Sequence, residues 1–166
     1  MSGLEVILVE QPWAVAGKKI APAPSQLDAA WLSLIAAVDR RGLPLIAGGR
    51  SAGARVACRT APEVNAVGVL ALAFPLHPPG RPESSRIDEL TSVARPALVI
   101  QGSRDTFGTA TELTRAVSGH TSIHVRAIAD ADHGFKVAAS AATTTADALK
   151  SLVEAVNRES DRLIGC

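Results

Sequence analysis

The chain has 166 residues, 47% hydrophobic and 20% charged, which fits a single folded domain over 1–166 with a sizeable core. Its formal net charge of +1 and its scattered arginines give no reason to expect nucleic acid or a membrane surface as a partner. No secretory signal or membrane-spanning run is visible, and Cys58 and Cys166 make neither a disulfide framework nor a zinc site, so we expect a cytoplasmic protein without a metal or other cofactor.

Short apolar runs alternate with helical patterns along the chain. In chain order they predict a strand at 4–10, a helix at 26–40, a strand at 43–47, a helix at 52–61, a strand at 66–73, a helix at 84–93, a strand at 97–101, a helix at 109–118, a strand at 122–128 and a helix at 138–158. The strand candidates are nearly continuous in apolar residues, which is typical of strands buried on both faces. The alternation predicts the α/β class: a mostly parallel sheet between two helical layers, a three-layer α/β/α sandwich.

The last predicted helix carries apolar residues at helical spacing, which predicts the face that it turns to the sheet. These residues are Ala142, Ala146, Leu149, Leu152, Val153 and Val156.

The run Gly-Gly-Arg-Ser-Ala-Gly-Ala-Arg at 48–55 contains Gly-x-Ser-x-Gly between a predicted strand and a predicted helix. This layout is that of a nucleophile elbow, a sharp turn that exposes a serine hydroxyl at the end of a strand. We expect Ser51 to hold a strained backbone conformation. Side chains at Gly49 and Gly53 are expected to collide with the neighbouring strand and helix.

A serine nucleophile needs a base, and the base needs an orienting acid, and in such sheets both are expected on the loops that follow the later strands. Asp105 comes just after the strand at 97–101, and His133 comes after the strand at 122–128. The order Ser51, Asp105, His133 is the order of α/β-hydrolase triads. Thr109 is the better cap for the next helix, which leaves Asp105 free for another role. The competing acids rank second because they immediately precede the histidine in its own loop; they are Asp130 and Asp132.

Four motifs together resemble one branch of the α/β-hydrolase superfamily. They are the run at 48–55, Phe-Pro-Leu-His-Pro-Pro-Gly at 74–80, Gly-Ser-Arg-Asp-Thr-Phe-Gly at 102–108 and Asp-His-Gly-Phe-Lys at 132–136. The branch is dienelactone-hydrolase-like and includes testis-expressed hydrolase-like proteins and a subunit of a histone acetyltransferase complex. The resemblance implies that Ser51 is the nucleophile, Asp105 the acid and His133 the base.

The same resemblance suggests residues beside a substrate pocket. It places Trp13 and His77 on loops next to the pocket, although Trp13 is equally readable as a core residue and His77 as a brace for a proline-rich turn. Arg50 and Phe135 complete the expected substrate-binding set.

The chain departs from the family pattern at its start. Family members carry an earlier strand that ends in His-Gly and a glycine-rich loop, and this segment supplies one oxyanion donor. The other donor is the backbone N–H after the nucleophile, here Ala52. We therefore expect an N-terminally truncated α/β-hydrolase fold. The strand at 4–10 then pairs directly with the one at 43–47, or the natural chain begins upstream, or a partner chain fills the gap.

The first functional hypothesis is a serine hydrolase of small esters, thioesters or lactones, acting on a small-molecule acyl substrate through an acyl-Ser51 intermediate. The second is a hydrolase-fold binding or scaffold module with weak or no catalysis, and a peptidase is a weaker third. A homo-oligomer is one further option.

Overall fold

The computed structural model describes residues 4–18 and 20–164. Helices and strands alternate over most of this part of the chain. In chain order they are α1 (Pro12–Val15), α2 (Pro24–Ala37), β1 (Leu45–Arg50), α3 (Ala52–Thr60), β2 (Ala66–Leu72), α4 (Ile87–Thr91), β3 (Ala97–Gly102), α5 (Ala110–Ala116), β4 (Ile123–Ile128) and α6 (Thr145–Leu163).

The four strands form one parallel sheet in the order β1-β2-β3-β4, so strands that follow each other along the chain are also neighbours in the sheet. One helix connects each strand to the next along the chain, as parallel connections require. These connecting helices are α3, α4 and α5. All carboxyl ends of the strands therefore point to the same edge of the sheet, which gathers their loops.

Side chains of the two central strands alternate between two apolar layers. Val69 and Val99 face the layer that contains α2, α3, α4 and α5, whereas Leu70 and Leu98 face α6. Every residue of β3 is buried. The predicted three-layer α/β/α sandwich is therefore confirmed.

The C-terminal end of α6 lies directly on β2 at Gly68. A Cβ atom at this position would lie 2.4 Å from the carbonyl oxygen of Leu163, so only glycine allows the approach. On the neighbouring side of α6, the buried Glu159 forms an ion pair with Arg126 of β4. Together these contacts fix α6 across the second face of the sheet.

The predicted strand at 4–10 is wrong. This segment has no strand structure, and most of its apolar side chains are exposed, with Leu8 at 92% and Val6 at 72%. Within residues 4–18 and 20–164, β1 pairs only with β2, so the segment does not pair directly with β1 either. An apolar run becomes a strand only where a neighbouring strand accepts its backbone hydrogen bonds, and composition does not reveal that neighbour.

The last helix begins later than predicted, at Thr145 instead of 138. Thr144 caps it: its hydroxyl accepts from the Asp147 N–H, and the Asp147 carboxylate accepts from the Thr144 N–H. Of the predicted apolar residues, Leu152 and Val156 pack against the core, whereas Leu149 and Val153 are about half exposed. The buried residues of this helix are Ala148, Ala155, Glu159, Ser160 and Leu163.

In the described part of the chain, no helix has the length and apolar character needed to cross a membrane.

Candidate active site

Ser51 lies at the junction of β1 and α3 with φ 54° and ψ −115°, a backbone conformation that few L-residues adopt. Its N–H donates to the carbonyl of Leu72 at 2.9 Å, which ties the turn to β2. The expected strain at the elbow is therefore present.

The two glycines of the elbow are not equivalent. A Cβ atom at Gly49 would lie 2.4 Å from the Gly53 carbonyl carbon, so a side chain there collides with the start of α3, as expected. A Cβ atom at Gly53 would meet nothing within 4 Å. The expected collision at Gly53 is wrong because this side of α3 faces open space.

Asp105 and His133 lie on loops that follow β3 and β4, at the same edge of the sheet as Ser51. The two loops come close because the last residue of β3 is Gly102. A Cβ atom on Gly102 would lie 2.4 Å from the Ala131 carbonyl oxygen and 2.7 Å from that of Asp132. The missing side chain brings the loop of His133 against the end of β3.

The three side chains form a continuous chain of hydrogen bonds. The Nε2 atom of His133 lies 2.8 Å from Ser51 Oγ, and Nδ1 lies 2.8 Å from Asp105 Oδ2. A carboxylate only accepts, so Nδ1 carries the proton and Nε2 has the free lone pair that accepts from the serine hydroxyl. This is the geometry by which an imidazole can take a proton from a serine.

The Asp105 side chain is almost fully buried, with 1% of the residue exposed, and each carboxylate oxygen has a partner besides the histidine. Oδ1 accepts from the Phe107 N–H at 2.8 Å, and Oδ2 accepts from the Gln101 amide at 2.8 Å. The Phe107 ring packs on the His133 ring with centroids 4.3 Å apart and planes at 32°. These contacts restrict both the acid and the imidazole.

The competing acids have other partners. Asp132 Oδ1 accepts from the backbone N–H groups of Gly134 at 2.7 Å and Lys136 at 2.9 Å, which shapes the loop. Asp130 accepts from the Thr143 hydroxyl at 3.1 Å. Thr109 caps α5 with a complete capping box, as expected, and this leaves the Asp105 carboxylate to the histidine.

Ala52 is the first residue of α3, directly after Ser51. Its N–H belongs to the first turn, whose N–H groups have no partner within the helix, and the positive end of the helix dipole adds to them. A negatively charged oxygen beside Ser51 could accept from this group.

The expected substrate-binding residues lie in different environments. Arg50 is exposed at the end of β1, and Trp13 is half-buried in α1. His77 is buried, and its Nδ1 donates to the Pro78 carbonyl at 2.9 Å, which braces the proline-rich turn. Phe135 is 3% exposed and packs in the core layer that faces α6. A role in binding substrate stays a prediction for all four.

Cys58 is the one cysteine in the described part of the chain, and it lies buried in α3. Burial raises the pKa of its thiol to about 12, and the charge of Glu89 raises it further while Arg59 opposes the shift. The thiol therefore stays protonated and unreactive at neutral pH. Within residues 4–18 and 20–164, no three His, Cys, Asp or Glu side chains are grouped to hold a metal ion.

The hydrogen-bonded serine is half-exposed. It does not line either of two surface cavities, which have volumes of about 350 and 550 Å³. The larger cavity adjoins the loop of His133 and is lined by Arg104, Asp130, Asp132, Lys136, Val137, Ala138 and Ser140. Ser51 is therefore partly accessible to solvent.

A family model described as an alpha/beta hydrolase domain matches residues 3–161. The chain belongs to the α/β-hydrolase family. A comparison with curated proteins finds no significant match.

Solved hydrolases have the same fold. A serine hydrolase homologue from Coxiella burnetii is 16% identical with a TM-score of 0.62, over 85% of this chain and 62% of its own. A YdeN-like hydrolase from Pectobacterium atrosepticum is 18% identical with a TM-score of 0.61, over 89% and 74%. A serine hydrolase from Xanthomonas campestris, described as having no lid, is 21% identical with a TM-score of 0.58, over 85% and 60%. The chain therefore spans between 60% and 74% of the length of these α/β-hydrolases.

The sequence did not indicate two residues of the site. Gln101 ends a predicted strand, and Phe107 lies in the loop after it. The available signal is the motif at 102–108 around the candidate acid, which contains Phe107 and directly follows Gln101.

Proposed function

We propose that this α/β-hydrolase is a serine hydrolase of small esters, thioesters or lactones, with Ser51 as nucleophile, His133 as base and Asp105 as the orienting acid. The hydrogen-bonded chain from Ser51 Oγ through the imidazole to Asp105 Oδ2, with both distances at 2.8 Å, carries the proposal. The strained backbone of Ser51 supports it, since strain of this kind clusters at reactive residues.

The proposed reaction begins when His133 Nε2 takes the hydroxyl proton and Ser51 Oγ attacks the acyl carbonyl. The Ala52 N–H donates to the oxyanion of the tetrahedral intermediate. His133 then returns its proton to the leaving alkoxide or thiolate, which departs and leaves acyl-Ser51. A water molecule, activated by the same imidazole, attacks the acyl group and releases the acid and the free serine. Asp105 holds the imidazole and stabilises its charged form.

The half-exposed position of Ser51 supports small, accessible substrates. The Xanthomonas relative without a lid provides a precedent for such a site within this fold. The four sequence motifs support a place in the dienelactone-hydrolase-like branch, and the two cysteines, without a disulfide framework, support a cytoplasmic location.

A binding or scaffold module with weak catalysis is the second candidate. One observation favours it: within residues 4–18 and 20–164, nothing pairs with the second edge of β1. In the family, the strand on that side brings the second oxyanion donor, and losing one such donor typically costs about 10²–10³ in turnover.

Labelling of the 166-residue chain with a fluorophosphonate probe tests the proposal. We expect one label per chain on Ser51, no label on Ser51→Ala because it lacks the reacting hydroxyl, and labelling about 10⁴-fold slower in His133→Gln. Ser151→Ala, a change of an exposed serine on α6, serves as the matched control and should label like the wild type. A folded wild-type chain that does not label would favour the second candidate.

A further inference from the structure

Gln101 ends β3 with a side chain that is completely buried, with 0% of the residue exposed. A buried amide in an otherwise apolar strand is costly unless its polar atoms are paired, and here the described residues pair Nε2 but leave Oε1 without a hydrogen-bond partner. Its Nε2 atom lies 2.8 Å from Asp105 Oδ2, 2.7 Å from the Gly108 carbonyl and 3.2 Å from the Phe74 carbonyl.

All three neighbours of Nε2 are acceptors: one carboxylate and two carbonyl oxygens. The side chain must therefore present its NH₂ group to them, since the opposite orientation would place three oxygens against a fourth. The direction of these hydrogen bonds is set by the chemistry of the partners.

The partners belong to two loops at the site. Asp105 and Gly108 bracket the loop after β3, and Phe74 begins the loop after β2. Between the two bracketed residues lies Phe107, whose N–H holds Asp105 Oδ1 and whose ring packs on His133. The Gln101 amide therefore holds both ends of this loop, the Asp105 carboxylate at one end and the Gly108 carbonyl at the other.

We infer that Gln101 is a positioning residue for the reaction, which orients the Asp105 carboxylate toward His133 Nδ1 and holds the loop at 105–108 in place. The inference rests on the proposed function for its effect on rate. The contact that it requires, from Gln101 through Asp105 to His133, is a property of the folded protein alone.

Two substitutions of Gln101 test this role. Gln101→Met removes both N–H donors at nearly constant size, and Gln101→Glu keeps the shape but places a second carboxyl against Asp105. Val99→Ala is the matched control, because Val99 is buried on the same face of the same strand, two residues before Gln101, but packs in the apolar core. The free energy of unfolding of each variant is measured first, so that rates are compared only among folded chains.

For both Gln101 variants we expect fluorophosphonate labelling to slow by about 10- to 100-fold, as when supporting contacts of a reactive group are lost. With a short aryl ester, kcat should fall by the same factor while KM changes by less than about twofold. Val99→Ala should lose stability but label at the wild-type rate. Wild-type labelling rates in both Gln101 variants, or slowing equal to that of Val99→Ala, would overturn the inference.

The proton on His133 Nδ1 gives a readout that does not depend on catalysis. In chains with ¹⁵N-labelled histidine, a far-downfield proton signal that is absent from His133→Gln reports the bond to Asp105. We expect the signal in the wild type and in Val99→Ala, and its loss or upfield shift in Gln101→Met. If the wild type does not label, the proposed function fails, and this signal still decides the role of Gln101: an unchanged signal in Gln101→Met overturns it.

Discussion

Ser51 holds a conformation that would cost an isolated residue on the order of 1–3 kcal/mol. The fold maintains it from two sides. The Ser51 N–H is bonded to Leu72 on β2, and the close approach of Gly49 to Gly53 leaves no space into which the turn could relax. Neighbouring backbone therefore imposes the strain. A small change at that backbone should alter the stability of the protein and the reactivity of Ser51.

Adding one methyl group should have opposite effects at the two glycines of the elbow, Gly49 and Gly53. Gly49→Ala places a Cβ atom 2.4 Å from the Gly53 carbonyl carbon, and we expect it to lower the free energy of unfolding by about 1–3 kcal/mol and to slow labelling of Ser51. Urea unfolding and the labelling rate measure both effects.

Gly53→Ala is the matched control. Its Cβ atom meets nothing within 4 Å, and the position lies in α3, where alanine is favoured over glycine by up to about 1 kcal/mol. We expect unchanged or slightly higher stability and normal labelling. Equal losses in the two variants would mean that the elbow is not held by the contact described at Gly49.

Helices α2, α3 and α4 are joined by a network of ion pairs on one face of the sheet. Arg59 of α3 binds Asp28 of α2 through two nitrogens at 2.8 and 2.6 Å, and it reaches Glu89 of α4 at 3.0 Å. Arg55 binds the same Glu89 through two further nitrogens, at 2.7 and 2.5 Å. Because these side chains are only about one-fifth exposed, solvent screens them less than a surface pair.

Because of this network, the free energy of unfolding should depend on pH in the acid range. Burial alone would raise the pKa of Glu89, but the hydrogen bonds and charges of Arg55 and Arg59 outweigh it and hold the pKa below its ordinary value of 4.5. The folded state therefore binds this proton less readily than the unfolded state. The contribution of Glu89 is present above pH 4.5 and is lost as the pH falls below it.

Glu89→Gln should cost about 1–3 kcal/mol in the free energy of unfolding at pH 7 and less at acid pH, so the gap to the wild type narrows below pH 4.5. Urea unfolding at a series of pH values measures the gap. The exposed Glu63→Gln is the control and should follow the wild type throughout. A gap for Glu89→Gln that is constant with pH would contradict this assignment of charge.

Gly102 and Gly68 are under equal steric constraint, but Gly102 lies beside the candidate site and Gly68 lies under α6. Substituting each in turn therefore distinguishes an effect on the site from an effect on stability alone. A Cβ atom on Gly102 or on Gly68 would lie 2.4 Å from a backbone carbonyl oxygen, of Ala131 in one case and Leu163 in the other. We expect both alanine variants to lose about 1–3 kcal/mol in stability. Only Gly102→Ala displaces the loop of His133, and a shift of about 1 Å there should slow labelling of Ser51 by about 10²-fold.

Gly68→Ala, far from the serine, should label at the wild-type rate once its lower stability is taken into account. If both variants label normally, the loop of His133 tolerates the added methyl group, and the spacing of the two loops does not depend on Gly102.

An element or residue could be predicted where a local sequence pattern marks it, and could not where it depends on contacts made only in the folded chain. The strands β2 and β3 were predicted because buried parallel strands are apolar throughout. The segment at 4–10 is also rich in apolar residues but is not a strand, because composition does not show whether a neighbouring strand pairs with it. The contacts of Gln101 depend on three backbone and side-chain partners from two loops, and such convergence appears only in the folded chain. The motif spacing, by contrast, placed Ser51, Asp105 and His133 at the correct strand ends.

At the scale of the whole molecule, the central strands of the sheet differ from the edge strands in how much of their backbone is paired. The two central strands are bonded on both sides, whereas β1 and β4 each have one partner within residues 4–18 and 20–164. The Ser51 N–H points to β2, and successive amides of a strand point to alternate sides, so those of Gly48 and Arg50 point to the open edge of β1. An edge of this kind leaves its polar groups to solvent.

Hydrogen exchange followed by NMR measures this difference one amide at a time. We expect the amides of β2 and β3 to exchange only through global unfolding, those of Ala47 and Gly49 to be strongly protected, and those of Gly48 and Arg50 to exchange many times faster than their neighbours. Slow exchange at all four positions of β1 would contradict the open edge. It would mean that the edge is paired in solution, by the apolar segment at 4–10 or by a second copy, and a dependence of the exchange on protein concentration would separate the two, because only pairing with another copy is bimolecular.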